Sequence, residues 1–256
     1  MRIIDLSSPI DARGWEPDPV VHERMTPAEG ARHMSEGMRE RYGLELDPAD
    51  LPDGEFLDLD FVRATTHTGT HVDAPAHYGS KPVYGPPRTI DQVPLDWFHR
   101  PGFVLDLTGA GTGAAGAAEV RAAIERTGYA PRPMDIALLH TGADARQGTP
   151  AYFAEFTGLD GEATEYLLGL GVRVIGTDAF SLDAPFPHII ERYRRTRDRR
   201  VLWPAHLAGR RHEYCQIERL ANLAALPPHG FTVCCFPVKI AGAGAGWARA
   251  VALLDD

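Results

Sequence analysis

Apolar and polar positions alternate along this chain in short blocks of two kinds. Ile136-Ala137-Leu138-Leu139 is an unbroken apolar run ending at His140, and Val172-Arg173-Val174-Ile175-Gly176 is nearly one. Runs of this length predict strands buried on both faces. Phe103-Val104-Leu105-Asp106-Leu107 and residues 2–6, 213–218, 231–236 and 247–254 predict further strands. Residues 56–63 begin as an alternation, the mark of a half-buried strand. Between these blocks the period lengthens. Residues 117–126 place Val120, Ala123 and Ile124 on one helical face, with Gly128 as C-cap. Residues 162–170 predict a helix ending at Gly171, and residues 27–41 another with Thr26 as N-cap and Gly43 near its end. Helix followed by strand, twice over, predicts an α/β fold. The Gly/Ala-rich residues 110–118 predict a loop, and Gly242, Gly244 and Gly246 a flexible hairpin. No strand–loop–helix context or Lys-Ser/Thr accompanies those glycines, so they do not form a phosphate loop.

Composition narrows the class. The 256 residues allow one domain, 1–256, with a large core. With 44% hydrophobic and 24% charged residues, the chain reads as soluble and globular. A net charge of −9 disfavours nonspecific nucleic-acid binding. Cys215, Cys234 and Cys235 make no disulfide framework, which fits a reducing, cytoplasmic compartment. The N-terminus lacks the apolar core of a signal peptide, and no apolar run approaches the ~20 residues of a membrane span.

The densest chemistry lies in Thr66-His67-Thr68-Gly69-Thr70-His71-Val72-Asp73-Ala74-Pro75-Ala76-His77. Imidazoles and a carboxylate together suit a borderline divalent ion. Gly69 and Pro75 disfavour a continuous helix, so a strand end running into a tight loop is expected. His71 and Asp73 stand two apart and share a face in extended chain. On residue chemistry alone, a metal site and a group of structural histidines both remain open.

This segment resembles the signature of the cyclase family, which includes bacterial kynurenine formamidases, isatin hydrolases and aromatic polyketide cyclases. The resemblance extends to Ile4-Asp5-Leu6-Ser7-Ser8-Pro9-Ile10, to Glu218-Arg219-Leu220-Ala221-Asn222-Leu223 and to Phe236-Pro237-Val238-Lys239-Ile240. It implies a mixed, partly barrel-like sheet flanked by helices. It also implies His67, His71, Asp73, His206 and Glu218 as ligands of one or two divalent ions, zinc first and manganese second. His77 is then the acid/base, and a homo-oligomer, dimer or tetramer, is expected. Trp15 and Tyr78 are candidate substrate contacts. Residues 11–55 look enlarged beside shorter formamidases, as a lid, a subunit contact or a solvated insertion.

Two reactions suit this equipment. One is hydrolysis of an aromatic amide, of the arylformamidase or isatin hydrolase type. The other is aldol ring closure of an aromatic polyketide intermediate. Chain length and the segments 176–186 and 202–218 favour the cyclase branch. A noncatalytic small-molecule binding protein is the third reading. In each case the partner is a small aromatic molecule. The basic block at residues 192–200 reads as a solvated helix face or as a handle for an anionic substrate or acidic carrier protein. The loop Gly176-Thr177-Asp178-Ala179-Phe180-Ser181-Leu182-Asp183 resembles a family loop. Asp183 reads there as a turn former, and Asp178 equally as a turn former or a support for the ligands.

Overall fold

The computed structural model describes residues 1–255. In chain order its strands are β1 (Arg2–Asp5), β2 (Val21–Met25), β3 (Leu59–Arg63), β4 (His71–Asp73), β5 (His99–Asp106), β6 (Gly113–Ala115), β7 (Ile136–His140), β8 (Thr157–Leu159), β9 (Val174–Thr177), β10 (Cys215–Glu218), β11 (His229–Cys234), β12 (Ala245–Trp247) and β13 (Val251–Leu254). Its helices are α1 (Pro27–Tyr42), α2 (Ala117–Thr127), α3 (Pro150–Ala154), α4 (Gly161–Gly169), α5 (Phe186–Thr196) and α6 (Pro204–Ala208). Residues 1–16 and 66–256 form one compact unit, and residues 17–65 a second.

The first unit is mixed α/β: a curled nine-stranded sheet flanked by helices, in the order β1-β13-β11-β5-β7-β9-β10-β4-β12. The middle strands β5, β7, β9 and β10 are parallel, and the flanks are antiparallel. The unbroken apolar runs lie in the parallel centre, where both faces are covered. Along β7 the side chains divide by parity. Ile136 and Leu138 join the core on one face, with Val174, Ile217 and Phe231. Ala137 and Leu139 join the other, with Val120, Ala123 and Ile124 of α2 and Leu167 and Leu168 of α4. Burying each such large aliphatic side chain contributes about 1.5–3 kcal/mol.

Two glycine-rich stretches differ from expectation. Residues 113–115 form β6, which pairs in parallel with β8. The segment expected as a flexible hairpin is instead partly β12, paired with β4. Close approach explains Gly246, where a Cβ would lie 2.6 Å from the Val238 carbonyl oxygen, while Gly242 takes a left-handed turn at φ 72°. The Gly244 carbonyl accepts the Ala74 N–H at 2.8 Å, which joins this segment to the metal-type loop.

In the second unit α1 starts at a capping box. The Glu29 N–H donates to Thr26 Oγ1 at 3.4 Å, and the Thr26 N–H donates to the Glu29 carboxylate at 2.7 Å. Gly43 ends the helix in the left-handed region, φ 65°. A Cβ on Gly30 would collide with the Leu57 carbonyl, so this glycine lets helix and chain touch. Strands β2 and β3 form a separate two-stranded ribbon. β2 was not evident from the pattern, because His22-Glu23-Arg24 interrupts it with consecutive polar residues.

Candidate metal centre

The site is built on neighbouring strands. The antiparallel register of β4 and β10 sets His71 opposite Glu218 and Asp73 opposite Gln216. Two-residue spacing sends His71, Asp73, Gln216 and Glu218 to one face, while Val72 and Ile217 enter the core. The loop before β4 is held from below. Thr70 Oγ1 donates to the Arg219 carbonyl at 2.5 Å and accepts the Ser8 N–H at 2.8 Å. Gly69, at φ 63°, makes the turn.

That turn fixes the chemistry of His71. Its Nδ1–H donates to the Gly69 carbonyl at 2.9 Å, so Nε2 presents a lone pair. Nε2 is buried and without a hydrogen-bond partner, 3.5 Å from Asp73 Oδ1 and 3.6 Å from Glu218 Oε2. Both Asp73 oxygens are likewise buried without a well-formed hydrogen bond, although His67 Nδ1 lies 2.9 Å from Oδ1. Acceptors facing acceptors in a buried space are costly unless a cation lies between them. The donor set His71, Asp73 and Glu218 therefore fits a divalent ion, and its ligand atoms lie within 4.8 Å of one another. His67, Asp73 and His77 form a second set of the same size. Asp73 is common to both, so these donors would suit one ion or two.

His206 arrives from α6. Its Nδ1–H donates to Asp183 Oδ2 at 2.6 Å, which turns Nε2 toward Asp73 Oδ2 at 3.9 Å and Glu218 Oε1 at 3.8 Å. A carboxylate behind a ligating imidazole is the usual way to fix its tautomer. All five expected ligands thus converge. His77 joins them at the rim: its side chain is 32% exposed, and Nε2 lies 4.0 Å from Asp73 Oδ2. Its ring centroid is 4.4 Å from that of His67 and 5.4 Å from that of His206.

The electrostatics of the metal-free groups express the same imbalance. Burial, reinforced by the charge of Asp73, pushes the Glu218 carboxyl up to about 7. Burial pushes His71 down to about 4 and lowers His77. Burial also opposes charge on His206, but its bond to Asp183 and the nearby carboxylates outweigh it and push it up to about 9. A cation relieves the clash between Asp73 and Glu218.

Several expectations need correcting. Asp183, read as a turn former, is the carboxylate that orients His206, and it also accepts the Ala205 N–H at 2.7 Å and the His206 N–H at 3.0 Å. Asp178 does not support the ligands. It accepts from Thr141 N, Thr141 Oγ1 and Gly142 N, and so braces the loop after β7. Nothing local distinguishes the two aspartates, since Asp183 and His206 are twenty-three residues apart. Tyr78 is only 4% exposed. Its ring stacks on Tyr214 at 5.1 Å and meets His77 and His206 edge-on, so it braces those histidines from behind. Trp15 is 40% exposed and packs on Phe153. Phe153 meets Phe180 and Phe186, and Phe186 meets Trp203, three residues before His206. Sequence reading also missed Gln216, whose Nε2 donates to the Tyr214 hydroxyl, which in turn donates to the Ala205 carbonyl beside His206. The basic block lies on α5 and the turn after it. A cavity of about 640 Å³ there is lined by Arg192, Arg199 and Arg200, but also by Glu162, Glu165 and Asp198. None of the six converging residues lines it. No helix among the described residues is long and apolar enough to cross a membrane.

The family model named Cyclase, described as "Putative cyclase", matches residues 4–184. Solved structures share the fold. An isatin hydrolase bound to the product analogue thioisatinate superposes with a TM-score of 0.74 at 21% identity, covering 99% of this chain and 92% of that one. Isatin hydrolase A from Ralstonia solanacearum gives a TM-score of 0.74 at 23% identity, covering 99% and 92%. A potential metal-dependent hydrolase with cyclase activity gives 0.63 at 19% identity, covering 100% and 98%.

Proposed function

The match over residues 4–184 makes this chain a member of the Cyclase family, and an enzyme, and from that premise we propose that it is a metal-dependent hydrolase of an aromatic amide or lactam. The observation that carries this reading is the buried, unpartnered set of His71 Nε2 and both Asp73 oxygens, with His77 at the open rim. His67, His71, Asp73, His206 and Glu218 hold the ion, zinc in the first instance and manganese in the second, as imidazole and carboxylate donors suit both. When bound, such an ion polarises a carbonyl and lowers the pKa of water. The chain's own residues do the rest. Asp183 keeps His206 turned inward, and the Leu182 N–H, donating to Glu218 Oε1 at 2.8 Å, holds that carboxylate in place. His77 takes a proton from the attacking water and returns it to the leaving nitrogen. The C–O bond forms as the C–N bond breaks, and the proton count is conserved. The aromatic strip from Trp15 to Trp203 offers edges and faces to an aryl group.

Ring closure of an aromatic polyketide is the second reading, favoured by the resemblance of residues 202–218 to that branch. Length no longer separates the two, because isatin hydrolases are matched nearly end to end. The test is turnover of N-formylkynurenine and of isatin by protein loaded with zinc or manganese. Hydrolysis of either, abolished by chelation, is expected. Fully loaded protein that hydrolyses neither, yet closes a ring in an aromatic poly-β-ketone, would transfer the assignment to the second reading.

A further inference from the structure

Gln216 is a fully buried side chain of β10 with one amide atom unaccounted for. It shares the sheet face of His71, Asp73 and Glu218. Asp73 is its register partner on β4, and directly opposed side chains stand about 4.5–5.5 Å apart at Cβ. On its other side lies Ile175 of β9, apolar and fully buried.

The Tyr214 hydroxyl decides which way the amide faces. That hydroxyl has one hydrogen, and the Ala205 carbonyl accepts it at 2.7 Å. Only its lone pairs are left for Gln216, so the amide turns its N–H toward Tyr214. The other amide atom, Oε1, is then buried with no hydrogen-bond partner. Leaving a buried acceptor bare is costly. The polar neighbours on its sheet face, Asp73 and Glu218, hold an ion as carboxylates and then offer acceptors only. Ile175 offers nothing polar. The missing hydrogen therefore has to come from outside the chain, and a water in the shell of a bound cation supplies one.

We infer that Gln216 is a positioning residue of the centre: its Oε1 accepts a hydrogen from a water in the ion's shell, and Tyr214 holds the amide in the orientation this requires. The inference rests on the metal reading. Metal-free, full-length protein is titrated with manganese alone, and affinity is read by competition with a chelator. Gln216→Met keeps the length of the side chain but neither amide atom, and it weakens binding by about 10–100-fold. Gln216→Glu loses the N–H toward Tyr214 but keeps an oxygen and adds charge, so it binds manganese more tightly than the parent. If Gln216 served only to hold Tyr214, both variants would lower the melting temperature of the metal-free protein and neither would change affinity. That result overturns the inference. Should Gln216→Met fail to fold, the glutamate variant decides, and unchanged or weaker binding overturns it. Relaxation of solvent protons by the bound manganese tests the water itself. It does not rise in Gln216→Met; a rise would mean that the amide oxygen had occupied the ion's shell directly, and overturns the water-accepting role. A parent that binds no divalent ion fails the metal reading and this inference together, and is told apart because no variant then differs from it.

Discussion

The metal centre and the β2–β3 ribbon treat their polar groups in opposite ways. At the centre, Asp73 and His71 are fully buried, and His71 Nε2 and Asp73 Oδ2 are acceptors without a hydrogen-bond partner, while Asp73 Oδ1 has only His67 Nδ1 nearby at 2.9 Å. On the ribbon the charges find partners within the same two strands and the chain beside them, His22 with Asp60 at 2.6 Å and Arg24 with Asp58 at 2.9 Å. Polarity buried beyond what the chain can match calls for a small cation. Exposed charges matched by their neighbours call for nothing further. The same test, asking which groups lack the environment their chemistry requires, thus singles out the centre as the place for a ligand.

The most disruptive way to break that contrast is to remove the acceptors at the centre. His71→Ala should bring metal content, read by elemental analysis, to background and turnover below detection. In the parent protein chelation should lower the melting temperature by about 5–10 °C, because an ion at a hundred times its Kd stabilises by about 2.7 kcal/mol. The variant should show no such drop. A variant that keeps stoichiometric metal would mean that the buried lone pair of His71 is satisfied in some other way.

Removing His77 should act on rate and leave the ion in place. His77→Ala is expected to retain metal and to lose turnover by about 10²–10⁴-fold. Its Nε2 approaches the same Asp73 carboxylate as the ligands, at 4.0 Å, so metal content has to be measured beside the single-turnover rate. Loss of metal as complete as in His71→Ala would make His77 a ligand and leave the proton transfer to another group.

A finer cut separates the aspartates of one loop. Asp183→Asn should weaken metal affinity by about 10–100-fold, since it loosens the imidazole it orients. Asp178→Asn should leave affinity unchanged and lower only stability, because its bonds go to Thr141 and Gly142. Equal effects on affinity would show that the loop acts as a unit and that the His206–Asp183 bond has no separate role.

What the sequence disclosed follows from range. Strand β7 and helix α2 were legible because burial repeats at fixed local intervals, and Val120, Ala123 and Ile124 are indeed the buried face of α2. The His67–His77 segment was legible because its donors are close in sequence, and resemblance supplied His206 and Glu218. Asp183 and Tyr214 were not, since each acts through a partner on α6 defined only by how that helix docks on the sheet, and Gln216 acts in turn through Tyr214. The ribbon's first strand, β2, was missed for a related reason. Its polar residues His22 and Arg24 find their partners Asp60 and Asp58 more than thirty positions away.

The smallest expected effect tests the ribbon's polar face. Arg24 and Asp58 are both well exposed, with side chains 58% and 47% accessible, so solvent and salt screen their attraction. Arg24→Ala should therefore cost only about 0.2–1 kcal/mol of stability, read from denaturant midpoints at unchanged slope. The neighbouring pair of His22 and Asp60, at 2.6 Å, is similarly exposed, so removing both pairs should cost about the sum of the two single losses. A loss well beyond that sum would mean that His22, Asp60, Arg24 and Asp58 act as one coupled network and not as two separately screened pairs.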